Sequence, residues 1–263
     1  MESVGLPLVY RGLVPDALIR YGIRSLLSGM VSTQNVAPSA RLASKQAYVA
    51  DLKQRGLAEH TVDANEQHYE VPAPFYEYVM GKHKKYSCGL WPEDGRGECT
   101  LDESEAAALA LVCERAGLVN EAGLRVLDMG CGWGSFSLYA AARFPLVTFT
   151  GVSNSNSQRE YIMGQAAARG LANLTIVTCD INAFEGAGRE YDRVVSIEMM
   201  EHVKNYQLLL RRVASWMRPG GKMFVHIFTH THTPFHYVSL GGGGVFFCSV
   251  GCSPCAHYRP HFI

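Results

Sequence analysis

From residue 101 onward the sequence alternates short apolar, β-rich runs with alanine-rich stretches of helical length, and few folds are compatible with that alternation. The runs are RVLDMG (125–130), VTFTGVS (147–153), LTIVTCD (174–180), YDRVVSIE (191–198) and KMFVHIFT (222–229). Between them lie SFSLYAAARF, SQREYIMGQAAARG and YQLLLRRVASWM, each long enough for a crossover helix. Strands that are apolar on both faces and separated by helices build a parallel sheet covered on both sides. The fold class expected is therefore α/β and Rossmann-like, with any ligand beyond the carboxyl ends of the strands. The preceding residues read as helical. VPDALIRYGIRSLL opens with Pro15 and Asp16, which favour a helix start, and sets Leu18, Ile19, Ile23, Leu26 and Leu27 on one face. A cap on the larger domain is the expectation, because the polar face has too few basic residues for a membrane-surface helix.

At the end of the first strand, Asp128 is followed by Gly130, Gly132 and Gly134 at alternate positions. Glycine lets the chain turn sharply and lets a ligand touch the backbone. A dinucleotide fingerprint requires G-x-G-x-x-G, and Ser135 stands where its third glycine would be. The pattern D-x-G-x-G-x-G is instead one used for S-adenosylmethionine. The second strand ends in GVSNSNSQ, without the acidic residue that often takes ribose hydroxyls. Asn154, Ser155 and Gln158 are candidates for that task, and helix capping by Ser155, Asn156 or Ser157 is the alternative on spacing alone. The third strand ends in CDINAF, where Asp180 can accept from an adenine amino group and Ile181 can cover the ring. Asp180 read in isolation is a turn residue.

Composition narrows the partners. Lysine plus arginine balance aspartate plus glutamate at 24 each, so neither nucleic acid nor an anionic membrane is an expected partner. No apolar run reaches the roughly 18–20 residues of a membrane span, and no signal-peptide order opens the chain. The expectation is a soluble, cytoplasmic protein acting on a small molecule. Cys88, Cys99, Cys113, Cys131 and Cys179 are scattered and read as buried or semi-buried thiols.

Taken together, these blocks resemble the S-adenosylmethionine-dependent methyltransferases that include cyclopropane fatty acid synthases, mycolic acid methyltransferases and coclaurine N-methyltransferases. The resemblance runs from about residue 10 to 237. It rests on HYEVPAPFYEYVMG with KYSCGLWP, the glycine turn, GVSNSNSQREYI, CDINAF, SIEMMEHVKNY and VHIFTHTHTPFHY, in that order. It implies a class I methyltransferase fold with S-adenosylmethionine as cofactor. The cofactor would be held by Tyr86, Ser87, Asp128, Gly130, Gly132, Gly134, Asn154, Gln158, Asp180 and Ile181. It also implies a catalytic group of Glu198, Glu201 and His202, with Glu201 and His202 as base and partner and Glu198 attracting the amine as a cation. Glutamates that merely complement a helix dipole are the bland alternative. Cyclopropane synthases usually carry glycine at the position of Glu198. That residue, HVKNY and the VHIF strand look like the coclaurine N-methyltransferase branch.

The domain organisation expected is a helical cap with a cofactor-covering segment (1–100), a cofactor-binding core (101–237) and an atypical, disordered tail (238–263). After HTHTPFHY the family pattern stops, and VSLGGGGVFFCSVGCSPCAHYRPHFI follows, so the C-terminal part of the fold is expected to be incomplete. Cys248, Cys252, Cys255 and His257 have a zinc-like order but lack a second paired half, so no metal is expected. Three functions follow from this reading. The first is N-methylation of a small-molecule amine, the second is methyl transfer to a lipid acyl chain, and the third is a non-catalytic cofactor-binding fragment.

Overall fold

The computed structural model describes residues 7–34, 37–59, 73–92, 99–186 and 188–229. The first part of HYEVPAPFYEYVMG, the end of VHIFTHTHTPFHY and the Cys248–His257 group lie outside the described residues. The described residues divide into two compact units, one up to residue 50 and one over residues 51–229. In the first unit, α1 (Asp16–Gln34) begins where Pro15 and Asp16 predict, and α2 (Pro38–Leu52) follows it and ends just inside the second unit.

The second unit contains α3 (Ala73–Val79), α4 (Leu101–Arg115), β1 (Arg125–Met129), α5 (Ser135–Arg143), β2 (Thr148–Ser153), α6 (Asn156–Ala168), β3 (Leu174–Thr178), β4 (Tyr191–Ile197), a 3₁₀ turn (Met200–His202), α7 (Tyr206–Trp216) and β5 (Met217–His226). All paired strands are parallel, in the order β3-β2-β1-β4-β5. Successive strand residues point to opposite faces, and the core divides accordingly. Val126, Phe149, Ile176 and Val195 pack with Leu109, Phe136 and Ile162 of α4, α5 and α6. Leu127, Met129, Val152 and Val194 pack with Leu209, Val213 and Trp216 of α7. The sheet is thus covered on both faces, as the two-sided apolar runs predict.

Helix starts follow local chemistry. Thr100 and Glu103 close a reciprocal capping box on α4, with Glu103 N donating to Thr100 Oγ1 at 3.3 Å and Thr100 N to Glu103 Oε2 at 2.9 Å. Ser155 caps α6, its Oγ accepting from Gln158 N at 3.3 Å, which assigns the capping role that the sequence left open. Asn205 caps α7 and donates its Nδ2 to the carbonyls of Lys53 and Arg55. Lys204 N also donates to Leu57 O at 2.8 Å, so the segment before residue 60 is tied to the start of α7.

Strand β5 starts earlier than its apolar run suggests. Met217 pairs with Tyr191, then the register jumps so that Lys222 faces Arg193, and Gly220 takes up the excess chain at φ +80°. From there the ladder runs regularly to Ile197 opposite His226.

Candidate active site

The carboxyl ends of β1 and β4, together with the loop at 84–87, enclose a cleft of about 410 Å³ counted out to its open mouth. Tyr86, Ser87, Asp128, Gly130 and Gly132 line it, with Lys85, Trp133, Ser135 and Ile197. Gly130, Gly132 and Gly134 all have positive φ, at +81°, +52° and +78°. A Cβ at Gly130 would lie 2.6 Å from Met199 Cγ, whereas one at Gly132 would meet nothing within 4 Å among the described residues. Gly132 therefore presents bare backbone to open space. Gly134 faces Ile162 and begins α5 without lining the cleft.

Asp128 is 2% exposed, and its Oδ2 accepts from Ser137 Oγ at 2.6 Å. Burial raises its pKa to about 7, against the opposing effect of hydrogen bonds from the Ser137 hydroxyl and backbone N–H. The native state therefore binds more protons than the unfolded chain between about pH 4 and pH 7, and stability falls as pH rises across that window. Asp128→Asn is expected to remove this fall, which approaches 1.4 kcal/mol per pH unit at its steepest. Urea unfolding at pH 5 and pH 7.5 measures it. An equal loss in both proteins would overturn the assignment.

The loop that carries Tyr86 and Ser87 is fixed by α4. Buried Glu105 accepts from Gly81 N at 3.1 Å and from His83 N at 2.8 Å, and Asp102 accepts from Lys82 N at 2.7 Å. A Cβ at Gly81 would lie 2.7 Å from Glu105 Oε2, so the close approach requires glycine there. Lys85, 6% exposed, donates from Nζ to Ser87 Oγ and to the Cys88 carbonyl. Its pKa is lowered by burial, with nearby acidic groups acting the other way.

The remaining cofactor candidates sit on the same sheet edge but outside the cleft lining. Gln158 is buried, its Oε1 accepting from Ser153 Oγ at 2.6 Å, while its Nε2 has no acceptor among the described residues. Asn154 is half-buried after β2. Asp180 makes a local turn after β3, its Oδ1 accepting from Asn182 N at 2.7 Å, and Ile181 packs against the α7-side core.

At the end of β4, Glu198 adopts φ +53° and donates its N–H to the His226 carbonyl at 2.8 Å, extending the ladder by one residue. This sets Glu198 Oε1 3.5 Å from His226 Nε2. Burial lowers the His226 pKa, with Glu198 acting the other way. Glu201, on the 3₁₀ turn, accepts from Phe228 N at 3.1 Å through Oε1. Its Oε2 is buried and receives no donor among the described residues. Burial raises its pKa to about 7; backbone N–H groups oppose this and the neighbouring Glu198 carboxyl adds to it.

His202 is exposed on the same turn. Sequence reasoning named it beside Glu201 but did not name His226, which the fold places next to Glu198. A histidine closing an otherwise apolar strand was the available signal. Cys88 is exposed, contrary to the expectation of a buried or semi-buried thiol, with Sγ 3.9 Å from His226 Nε2. Cys113 and Cys131 are buried as expected. No helix among the described residues is long and apolar enough to cross a membrane.

Comparison with known proteins places this geometry in context. The chain is 36% identical to an (S)-coclaurine N-methyltransferase of Thalictrum flavum subsp. glaucum over 231 residues, covering 86% of this chain and 61% of that protein. It is 29% identical to the cyclopropane-fatty-acyl-phospholipid synthase of Escherichia coli (strain K12), covering 75% of this chain and 50% of that one. Among solved structures, coclaurine N-methyltransferase bound to N-methylheliamine and SAH superposes with a TM-score of 0.81 at 36% identity, covering 89% of this chain and 66% of that one. The chain thus spans between half and about three fifths of the length of these two curated relatives. The family model for mycolic acid cyclopropane synthetase matches residues 57–240, a span that includes the cleft, the Glu198–Glu201 pair and every strand of the sheet, and the chain belongs to that family.

Proposed function

We propose that the protein is an S-adenosylmethionine-dependent N-methyltransferase acting on a small-molecule amine. The observation that carries this reading is the Glu198–Glu201 carboxyl pair at the end of β4, one strand away from a glycine cleft with bare backbone at Gly132. The cleft fits the cofactor on two further counts. Ser135 Oγ and Gln158 Nε2 are buried polar atoms with no partner among the described residues, one in the cleft lining and one outside it, in the first turn of α6. When bound, the cofactor supplies an electrophilic sulfonium methyl group. Tyr86, Ser87, Gly130 and Gly132 would hold it, with Asn154, Gln158, Asp180 and Ile181 along the same edge.

Glu198 would attract the protonated amine and Glu201 would take its proton, freeing the nitrogen lone pair to bond to the methyl carbon as the methyl–sulfur bond breaks and its electron pair leaves with the thioether. A base with a pKa near 7 is half ionised at neutral pH, the condition in which a carboxylate best combines availability with basicity. Holding the nitrogen in line with the methyl–sulfur bond supplies the larger part of the acceleration. The branch of the family follows from Glu198 and from the likeness to coclaurine N-methyltransferases.

Titration calorimetry with S-adenosylmethionine, followed by assays on a panel of cyclic secondary amines including coclaurine and on unsaturated phospholipid vesicles, tests the proposal. Cofactor binding with methylation of an amine is the result expected. Transfer to acyl chains alone, or binding with no turnover on any amine, would overturn it.

A further inference from the structure

The ends of β4 and β5 meet the loop after Ser87 at a cluster that methyl transfer uses only in part. Cys88 Sγ lies 3.9 Å from His226 Nε2, and that nitrogen lies 3.5 Å from Glu198 Oε1. All three donor atoms lie within 4.8 Å of one another. Tetrahedral zinc takes bonds of about 2.3 Å to sulfur and about 2.0–2.1 Å to nitrogen or oxygen, which sets ligand atoms roughly 3.3–3.6 Å apart. Two separations therefore reach metal-binding values with side-chain shifts of a few tenths of an ångström.

The ligand chemistry agrees with the spacing. Thiolate, imidazole and carboxylate are the three donor types zinc accepts, and three protein ligands with one open position is a recurrent arrangement. Cys88 is exposed, and the Glu198 and His226 side chains retain 25% and 24% of their accessible surface, so an ion can enter. Lys85 acts against a cation, since its ammonium group reaches the Cys88 carbonyl. Cys88, Glu198 and Glu105 lie close enough to Lys85 to oppose it.

We propose that Cys88, Glu198 and His226 form a site for a single thiophilic divalent cation, zinc by preference, and that its occupancy blocks methyl transfer by engaging Glu198. The binding stands on the three side chains alone. The block on turnover rests on the proposed amine methylation.

The test uses Cd2+ as probe on the full chain carrying Cys248→Ser, Cys252→Ser and Cys255→Ser, so that thiols of the tail do not contribute. A thiolate-to-Cd2+ charge-transfer band saturating at one ion per chain is expected. Cys88→Ala in that background is expected to abolish the band, and His226→Ala or Glu198→Gln to weaken binding at least about tenfold, the lower end of what loss of an outer partner alone produces. As a second measurement without substitution of any ligand, Zn2+ is expected to slow alkylation of Cys88 by iodoacetamide, followed by peptide mass mapping. A band that persists in Cys88→Ala, or alkylation of Cys88 at the same rate with and without Zn2+, would overturn the site. Turnover that falls with Zn2+ and returns with chelator supports the block; bound metal with unchanged turnover overturns the block and leaves the site standing. Should the chain methylate no amine at all, the absorption and alkylation results still decide the site.

Discussion

Glu201→Gln is expected to lower turnover by about 10²–10⁴-fold, the usual contribution of a general base, while leaving the dissociation constant for S-adenosylmethionine nearly unchanged. Glu201 sits on the 3₁₀ turn after β4, outside the residues that line the glycine cleft, so its loss should be felt in kcat and not in cofactor affinity. The pH profile gives a sharper readout. Burial and the neighbouring Glu198 carboxyl raise the Glu201 pKa to about 7. The ionised form is the base, so turnover of the wild type should rise with pH through about 7 and then level, and the pair as a whole sets the apparent midpoint. In Glu201→Gln that limb should disappear. A rising limb that persists at the same midpoint would place the base elsewhere.

Two substitutions two residues apart separate the fold from the ligand. Gly130→Ala puts a methyl group 2.6 Å from Met199 Cγ and 2.8 Å from its Cβ, atoms close to the main chain that cannot swing away. The left-handed backbone at φ +81° adds about 1–2 kcal/mol and the overpacking about 1–3 kcal/mol. A loss of roughly 2–5 kcal/mol is expected against a typical total of about 5–15. Gly132→Ala carries the same backbone penalty, but its methyl group enters open space, so the loss should stay near 1–2 kcal/mol. Its larger effect should be on the cofactor, whose calorimetric affinity should drop because the methyl occupies the cleft. Equal destabilisation by both changes, with cofactor affinity intact in Gly132→Ala, would show that the bare backbone serves the turn alone.

What could be read along the chain was what local sequence determines. Two-sided apolar runs become buried strands, and Pro15 and Asp16 mark a helix start, because these depend on neighbours a few residues away. The start of β5 was less legible: Arg218-Pro219-Gly220-Gly221 reads as a turn, yet Met217 pairs with Tyr191 before the register jumps. The glycine turn and the EMMEH block were visible because each is contiguous. The contact of His226 with Glu198 was not, since it follows from β4 and β5 being neighbours, a property of strand order. The same holds for Cys88 and for Glu105, which reach the site region from elements upstream of the sheet.

The left-handed backbone at Glu198 bears on how such a protein can change its chemistry over evolutionary time. Most positions at a strand end resist exchange between a charged side chain and glycine, because glycine loosens the backbone there. At φ +53° the preference reverses, and glycine, which the resemblance assigns to most cyclopropane synthases at this position, is the residue this conformation tolerates best. Glutamate and glycine codons differ by one base. A lineage could therefore gain or lose a carboxylate at this strand end in one mutational step without reshaping the scaffold around it, and under the proposed function that step would separate nitrogen from carbon acceptors.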